Sequence, residues 1–378
     1  MKKRHQFHKY LFLLTICILV FSLLLPGCGS KEKVTTEEEE TVGEQEEEEI
    51  KWYGANVRLA NFVSGSNAYC PGAFDELEKL GGNVIRLTGA SKIGQYDMGI
   101  PFESKMLEVF LTEADKRGFK TIFVLGSLYP YFGAVKKTPF NDKLAESLKI
   151  AAEDIIKRFA NDDRILMWDL MNEPNVADAD LMAFLNGLAS SVKAIDHKHP
   201  ITIGGWSNDS SGERIPDEPA DGAKTVDLVD YYSPHKYFGK RQLPVDPKIF
   251  FQWTDQQLYD WVYDYYKEQI EEIKKYAQGK PIILQEFAGA GPFENVVAEV
   301  GYERAEEIEA ATFDAALKAI EDNDISGALF WEFIPYSPSF NVRSTITYNP
   351  ETSEYNWRQA GHVIQTHYKF WTTDHYQR

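Results

Sequence analysis

The sequence predicts an α/β fold, a single (β/α)8 TIM barrel over residues 51–378. Short apolar runs rich in β-branched and aromatic residues alternate with longer amphipathic runs, which is typical of parallel βα units. Eight short runs occur, and no low-complexity linker divides them. An open doubly wound sheet is the alternative, but no Gly-rich phosphate-binding loop follows the first run, which favours the barrel.

Each strand prediction depends on one of these short runs. In chain order they are Trp52–Val57, Asn83–Leu87, Thr121–Leu125, Ile165–Leu170, Ile201–Gly205, Leu228–Ser233, Pro281–Gln285 and Gly327–Trp331. Helical periodicity between them predicts helices over Pro71–Leu80, Glu103–Arg117, Lys143–Ala160, Asp180–Asp196, Asp255–Tyr276 and Ala305–Asp322. The segment after the fifth strand gives the weakest helical pattern, and a helix near Trp357–His367 would close the ring.

Residues 1–28 have the layout of a secretory signal peptide. A basic stretch up to Lys9 precedes an apolar run, Tyr10–Leu25. The run ends in Leu25-Pro26-Gly27-Cys28, which resembles a bacterial lipobox, so Cys28 is the predicted lipidation site. A short transmembrane anchor is the alternative, since the run is near the lower length limit for spanning a bilayer. Both interpretations place the domain outside the cytoplasm, at the cell membrane of a bacterium.

Residues 29–50 form a predicted acidic, disordered linker. The stretch from Ser30 to Ile50 holds ten glutamates, two lysines and few apolar residues. Such a segment cannot bury enough apolar surface to offset its ordering entropy. We therefore interpret it as a solvated spacer between the lipid and the folded domain.

Charge and cysteine content exclude some classes of protein. The chain carries a net charge of −18, which argues against a nucleic-acid partner. Cys17 and Cys28 lie in the signal segment, so only Cys70 belongs to the domain and no disulfide framework is expected there. Stability must come from an apolar core, and we expect a monomer.

Polar and aromatic side chains follow several of the predicted strands. Active sites of such barrels lie at the carboxyl ends of the strands. The residues there are Arg86 at the end of the second strand, Asn172 and Glu173 after the fourth, Trp206 after the fifth, His235 and Tyr237 after the sixth, Glu286 after the seventh and Trp331 at the end of the eighth. An unpaired charge at the end of a buried strand is costly, so this set indicates a site.

Two of these residues, Glu173 and Glu286, form the predicted catalytic pair. Strands four and seven face each other across the mouth of an eight-stranded barrel. Paired carboxyl groups that face a cleft are what the cleavage of a glycosidic bond needs, since one protonates the leaving oxygen and the other attacks the anomeric carbon. Each residue alone could be a rim residue or an ion-pair partner, and the prediction depends on the joint pattern.

Together these residues resemble glycoside hydrolase family 5, of the clan of barrel glycosidases with catalytic glutamates on strands four and seven. The resemblance runs through most of Trp52–Trp331, and Asn172-Glu173-Pro174 is its strongest motif. It implies the following roles: Glu173 as general acid/base, Glu286 as nucleophile, Asn172 as donor to the sugar 2-hydroxyl, Arg86 as support for the nucleophile, His235 and Tyr237 as the His-x-Tyr pair, and Trp331 as the floor of the −1 subsite. The implied mechanism is retaining.

Two short features favour a mannan substrate. The segment after the third strand lacks the histidine of many family members, and Tyr131-Phe132-Gly133 is similar to the endo-β-1,4-mannanase branch, as is Val192–His199. A β-1,4-glucan remains the second candidate. Tyr129, Trp206, Trp253 and Trp331 are expected to line the sugar-binding cleft, because they lie in loops or at strand ends.

Other interpretations remain open at this point. A carbohydrate-binding lipoprotein would show the same anchor and aromatic residues, but binding alone does not require the two carboxyl groups. A barrel esterase is disfavoured because no Gly-x-Ser-x-Gly motif is present. No cofactor and no metal are predicted, since the His197-Lys198-His199 stretch falls at the wrong end of the barrel for catalysis.

Overall fold

The computed structural model describes residues 50–59, 62, 70–88, 92–93, 96–97, 104–126, 142–206, 224–238, 242–288, 296–333, 346–349, 352 and 354–376. The predicted signal peptide with Cys28, most of the acidic linker, Tyr129 and Tyr131–Gly133 lie outside these ranges. Among the described helices, none is long and apolar enough to span a bilayer.

Eight parallel strands form the predicted barrel. They are β1 (Trp52–Arg58), β2 (Val84–Thr88), β3 (Lys120–Val124), β4 (Ile165–Asn172), β5 (Ile201–Gly204), β6 (His235–Lys236), β7 (Ile283–Phe287) and β8 (Gly327–Phe333). Their spatial order runs 5-4-3-2-1-8-7-6, so β1 pairs with β8 and every strand pairs with the next one in the chain except β5 and β6, which stand at the two ends of the order. A parallel bridge between Gly204 and Ser233 brings the two end strands together and nearly closes the barrel.

Helices connect the strands along the outside. The longer ones are α1 (Ala73–Leu80), α2 (Ser104–Asp115), α3 (Asp142–Phe159), α4 (Ala179–Ile195), α5 (Asp255–Tyr276), α6 (Tyr302–Asp322) and α7 (Gln359–Tyr376), with short helices at Pro247–Phe250 and Val296–Val300. The barrel prediction is confirmed, and the bounds of α5 match the sequence-based prediction. Thr254 and Gln257 explain that match, because they form a capping box that sets where α5 begins.

The apolar core has two parts because side chains alternate between the faces of each strand. Inside the barrel, one residue from each of five strands forms a small cluster: Val84, Ile122, Met167, Ile283 and Leu329. A much larger cluster lies outside, where the helices cover the strands. The interior cluster fills the barrel below the polar residues, so the site rests on a packed floor rather than on a channel.

The sixth strand and two hairpins differ from the prediction. The sixth strand was predicted at Leu228–Ser233, but Val226–Leu228 forms a 3-10 turn and the strand itself is His235–Lys236. Isolated bridges at Tyr232 and Ser233 extend it backwards, and Pro234 interrupts the ladder because proline has no N–H to donate. The chain also forms two unpredicted hairpins, one with strands Lys92–Ile93 and Tyr96–Asp97 and one with Ile346–Asn349 and Glu354–Trp357.

Candidate active site

The polar residues predicted at the strand ends converge at the carboxyl end of the barrel. His235 on β6 lies opposite Glu286 on β7 in the parallel register. Glu173 follows β4, and its backbone N–H donates to the carbonyl oxygen of Gly204 over 2.7 Å. One side-chain atom from each of Glu173, His235 and Glu286 lies within 4.8 Å of the other two. The barrel thus gathers two buried carboxyl groups and an imidazole.

Two donors hold the carboxylate of Glu286. Nη1 of Arg86 donates to its Oε1 over 2.6 Å, and the hydroxyl of Tyr237 donates to its Oε2 over 2.5 Å. Glu286 is only 4% exposed, so these bonds form away from bulk water, where charge-assisted hydrogen bonds are strong. The guanidinium and the phenolic O–H hold both oxygens of this carboxyl group in place, and a carboxylate is a group that can attack an electrophile.

Glu173 has a different set of partners. Its Oε1 lies 3.1 Å from Nδ1 of His235, and the same nitrogen is 3.4 Å from Oε2 of Glu286. The imidazole therefore stands between the two carboxyl groups. The backbone of Glu173 is left-handed, with φ of 48°, a conformation that costs a non-glycine residue about 1–2 kcal/mol. Backbone strain of this kind clusters at functional sites.

Asn172 is fixed beside Glu173. Its Oδ1 accepts a hydrogen bond from Nη2 of Arg86 over 2.7 Å, and its backbone N–H donates to Gly126 over 2.9 Å. Because the carbonyl half of its side chain faces Arg86, the amide N–H2 half is the part that can donate elsewhere.

Trp331 lies on β8 and is partly exposed. The guanidinium of Arg58 lies 5.8 Å from the centroid of its ring, which is a cation–π distance. Arg58 also makes two hydrogen bonds of 2.7 Å to the buried carboxylate of Glu332, the residue after Trp331. The peptide bond between Trp331 and Glu332 is cis. The Arg58–Glu332 pair was not singled out from the sequence.

The other predicted cleft residues are placed differently. Trp206 is 2% exposed and packs against Tyr232 with ring centroids 5.1 Å apart, so its ring offers little surface to a ligand. Trp253 is half-buried and packs against Phe250, also at 5.1 Å. Contact of these two residues, and of Tyr129, with a sugar therefore stays a prediction.

Two further polar residues complete the network beneath the carboxyl groups. Oδ1 of Asn56 and Oδ2 of Asp169 each accept a hydrogen bond of 2.9 Å from Arg86. Burial raises the pKa of the Asp169 carboxyl, and the charge and hydrogen bonds of Arg86 oppose that rise. A charged residue within the otherwise apolar run Trp168–Met171 is the signal that could have identified Asp169.

Glu173, His235 and Glu286 are also, by residue type and spacing, a possible metal-binding group. Both oxygens of Glu286 already accept hydrogen bonds from protein donors. Those donors would compete with an ion that needed the same lone pairs. The expectation that the chemistry uses no metal stays a prediction.

Known proteins match the sequence of this chain over part of their length. A mannan endo-1,4-beta-mannosidase A from Aspergillus aculeatus is 26% identical over 284 residues, which cover 68% of this chain and 66% of that protein. Mannan endo-1,4-beta-mannosidase 3 from Arabidopsis thaliana is 30% identical over 200 residues, which cover 47% of this chain and 44% of that protein. The chain thus matches two thirds or less of the length of these relatives.

A solved structure and a family model extend the likeness. The endo-beta-1,4-mannanase from Thermotoga petrophila superposes with a TM-score of 0.55 at 16% identity, over 87% of this chain and 78% of that chain, and it supports the fold. The model described as Cellulase (glycosyl hydrolase family 5) matches residues 44–337, which is most of the chain and includes both glutamates. The chain belongs to glycosyl hydrolase family 5.

Proposed function

We propose that the chain is a retaining glycoside hydrolase that cleaves β-1,4-linked mannan within the polymer, with Glu286 as nucleophile and Glu173 as general acid/base. The observation that carries the proposal is the pair of buried carboxyl groups at the ends of β4 and β7, within 4.8 Å at their nearest, in different surroundings. Both carboxyl groups lie near the imidazole of His235, and Glu286 also accepts hydrogen bonds from a guanidinium and a phenol.

The proposed reaction has two steps. In the first, the carboxylate of Glu286 forms a bond to the anomeric carbon while the glycosidic C–O bond breaks, and Glu173 gives its proton to the leaving oxygen. In the second, Glu173 takes a proton from water, and the water oxygen displaces Glu286 from the sugar. Esterification removes the charge of Glu286 between the steps, which favours the loss of the proton from Glu173.

The spacing of the two carboxyl groups supports retention of configuration. Retaining enzymes place them roughly 5–5.5 Å apart, whereas inverting enzymes place them roughly 6.5–9.5 Å apart to admit a water molecule. The nearest atoms of Glu173 and Glu286 fall within 4.8 Å. That distance is closer to the retaining range than to the inverting range, which supports direct attack by a carboxylate.

The choice of mannan follows from the relatives. The two sequence relatives described above are both mannan endo-1,4-beta-mannosidases. β-1,4-glucan is the second candidate, because the matching family model is described as a cellulase. Cysteine-linked lipid at Cys28 would hold the enzyme at the outer face of a bacterial membrane, where polymeric glycans are accessible.

Polysaccharide digestion tests the substrate. The full chain is incubated with β-mannan, glucomannan, carboxymethylcellulose and xylan, and the products are sized while proton NMR follows their anomeric configuration. We expect short β-mannooligosaccharides from β-mannan at early times, released first as the β-anomer. Preferred hydrolysis of carboxymethylcellulose would replace mannan with glucan, and α-anomers as first products would contradict retention.

A further inference from the structure

Asp169 lies in the middle of β4 and is completely buried. Its Oδ1 accepts backbone hydrogen bonds from Met171 over 3.2 Å and from Gly204 over 2.9 Å. Its Oδ2 lies 2.9 Å from Nε and 2.8 Å from Nη2 of Arg86. Backbone N–H groups thus fix Oδ1 of Asp169, and Oδ2 accepts hydrogen bonds from one edge of the Arg86 guanidinium.

The remaining donors of Arg86 point at the site. Nη1 reaches Glu286 over 2.6 Å and Asn56 over 2.9 Å, and Nη2 reaches Asn172 over 2.7 Å. A guanidinium is planar and rigid, so an anchor on its Nε edge fixes the direction in which Nη1 points. Asp169 is the ionic anchor on that edge.

Asp169 also affects the charge that Glu286 experiences. Arg86 is one buried cation between two buried carboxylates. Glu286 also faces the imidazole of His235 on β6 and the hydroxyl of Tyr237, the residue after β6, and the carboxyl of Glu173 lies across from it. The negative charge of Asp169 offsets part of the positive charge of Arg86. Arg86 therefore stabilises the carboxylate of Glu286 less than it would without Asp169.

Gly204 on β5 keeps the contact between Arg86 and Asp169 close. A β-carbon at this position would overlap Nη2 of Arg86 and Oδ2 of Asp169, the two atoms that meet. Its backbone does not adopt the left-handed conformation, so alanine could take up the same backbone shape. Space, rather than backbone conformation, is therefore what requires glycine there.

We infer that Asp169 is a positioning residue for the reaction, one that orients the Arg86 guanidinium toward Glu286 and shares its charge. The inference depends on the proposed function, since it gives Glu286 the role of nucleophile. Asp169 does not touch the substrate. It sets both the direction of the donor and the strength with which the nucleophile is held.

The first test replaces Asp169 by asparagine in the full chain. On an aryl β-glycoside that the wild-type enzyme cleaves, Asp169→Asn is expected to lower kcat/KM at neutral pH by about 10²-fold, because Arg86 loses its fixed direction. The undivided charge of Arg86 then favours the carboxylate of Glu286 more strongly. The acidic limb of the kcat/KM profile should therefore move to lower pH.

Asp196→Asn is the matched control. Asp196 is a buried carboxylate between α4 and the start of β5, at the end of the barrel opposite the site, and it accepts from the indole of Trp168, from His199 and from the backbone of Lys198. Its replacement should lower the melting temperature and leave both kcat/KM and the acidic limb as in the wild type. If Asp169→Asn behaves like this control, the inference is overturned.

Gly204→Ala is a second test of the contact between Arg86 and Asp169. It is used if Asp169→Asn fails to fold. The added methyl group separates the Arg86 guanidinium from the Asp169 carboxylate while all charges remain. The guanidinium then loses its fixed direction and is no longer shared at close range with Asp169, so kcat/KM should fall and the acidic limb should move in the same direction as in Asp169→Asn. An unmoved limb with wild-type kcat/KM would overturn the inference. Lack of any glycoside turnover by the wild-type chain would instead contradict the proposed function.

Discussion

At the scale of single residues, Arg86 organises the site although water cannot reach it. It joins side chains from three other strands: Asn56 of β1, Asp169 and Asn172 of β4, and Glu286 of β7. A buried charge is tolerated only when it is paired and its donors are satisfied. The resulting network gives the barrel a polar layer directly beneath the two carboxyl groups.

The two glutamates should respond in opposite ways to added azide. On a substrate with a good leaving group, Glu173→Ala should slow the first step only modestly, because little protonation is needed. The second step should slow by about 10²–10⁴-fold, since no base activates water. Azide needs no base, so it should restore turnover and yield a β-glycosyl azide, identified by NMR.

Glu286→Ala provides the contrasting case. It should lose the covalent step, and azide should yield at most an α-glycosyl azide. A fluorinated sugar that traps the intermediate should label Glu286 in the wild-type protein, as peptide mass spectrometry would show. Labelling of another residue, or azide products with exchanged stereochemistry, would reverse or refute the assignment of roles.

Trp331 and Arg58 should act together on substrate binding. Trp331→Ala should lower kcat/KM on the best polymer by about ten- to a hundredfold, the loss expected for one aromatic contact. Arg58→Lys keeps the charge but loses the two-pronged bond to Glu332, and it should raise KM several-fold with a smaller change in kcat.

Arg164→Lys is the control for Arg58→Lys. Arg164 makes forked bonds to Asp162 and Glu108 near the start of β4, at the other end of the barrel. The Arg164→Lys variant should be less stable than the wild type, and its KM should not change. Near-normal turnover by Trp331→Ala would show that this ring is not the subsite floor.

Some of the site residues and contacts could be predicted from the sequence, and others could not. Glu173 and Asn172 were predictable because the motif that contains them is contiguous in the chain. The Arg58–Glu332 pair was not, since its members are 274 positions apart and meet only because β1 pairs with β8. Asp169 was not singled out as a partner of Arg86, because its role depends on which residues the barrel places on its inner face.

At the scale of elements, α5 braces the two strands that carry the site. The hydroxyl of Tyr266 lies 3.1 Å from the carbonyl of Lys236 and 2.8 Å from that of Ala288. Lys236 stands between His235 and Tyr237, and Ala288 follows Glu286 by two positions. One buried hydroxyl therefore links the backbones of both segments.

Tyr266→Phe should loosen that link while it keeps the ring. The expected loss in the free energy of unfolding is about 1 kcal/mol, the usual net contribution of a hydrogen bond. Because the freed carbonyls flank the site, kcat should fall as well. Thermal unfolding and steady-state kinetics measure the two effects separately.

Tyr368→Phe is a close control for Tyr266→Phe. Tyr368 on α7 is equally buried, and its hydroxyl lies 2.8 Å from the carbonyl of Gly54 and 3.4 Å from that of Ala328. These carbonyls belong to β1 and β8, away from the carboxyl ends of the strands. A similar loss of stability with unchanged kcat is expected. Equal kinetic effects in both variants would contradict a specific role for Tyr266.

Element types were easier to predict than element limits. α5 was predictable to the residue because a local capping box begins it. The sixth strand was misplaced because its pairing depends on neighbours far along the chain, and Pro234 divides the apolar pattern from the hydrogen-bonded residues. The hairpin strands Ile346–Asn349 and Glu354–Trp357 do alternate apolar and polar residues, but each has only four residues, which is the lower limit for predicting a strand from such a pattern.

At the scale of the whole molecule, the N-terminal segment should decide where the enzyme acts. We expect Cys28→Ala to block lipidation and to disturb retention at the membrane, because the lipobox-like motif ends in this cysteine. Labelled palmitate incorporation and membrane fractionation measure the two effects. Cys70→Ala is a control, since Cys70 is buried within the barrel domain. Palmitate labelling that survived in Cys28→Ala would refute the assignment.

Ionisable groups at the two ends of the barrel should give activity and stability different pH dependences. At the carboxyl end, ionisable groups face the proposed reaction. At the other end, Arg164 hydrogen-bonds Asp162 and lowers the pKa of that carboxyl. Burial acts to raise the pKa of Asp196, but hydrogen bonds from His199 and Trp168 outweigh it, and the net effect lowers that pKa.

Stability and activity should therefore depend on pH through different residues. A carboxyl whose pKa is lower in the folded state than in the unfolded state stabilises the fold above its unfolded pKa, about 4, and this contribution is lost as the pH falls through the folded pKa. Asp196→Asn should lower the melting temperature at neutral pH and flatten its decline below about pH 4. The pH profile of kcat/KM should not change, because Asp196 belongs to the opposite end of the barrel. A melting curve that kept its full acid dependence in Asp196→Asn would show that this carboxylate does not contribute to acid unfolding.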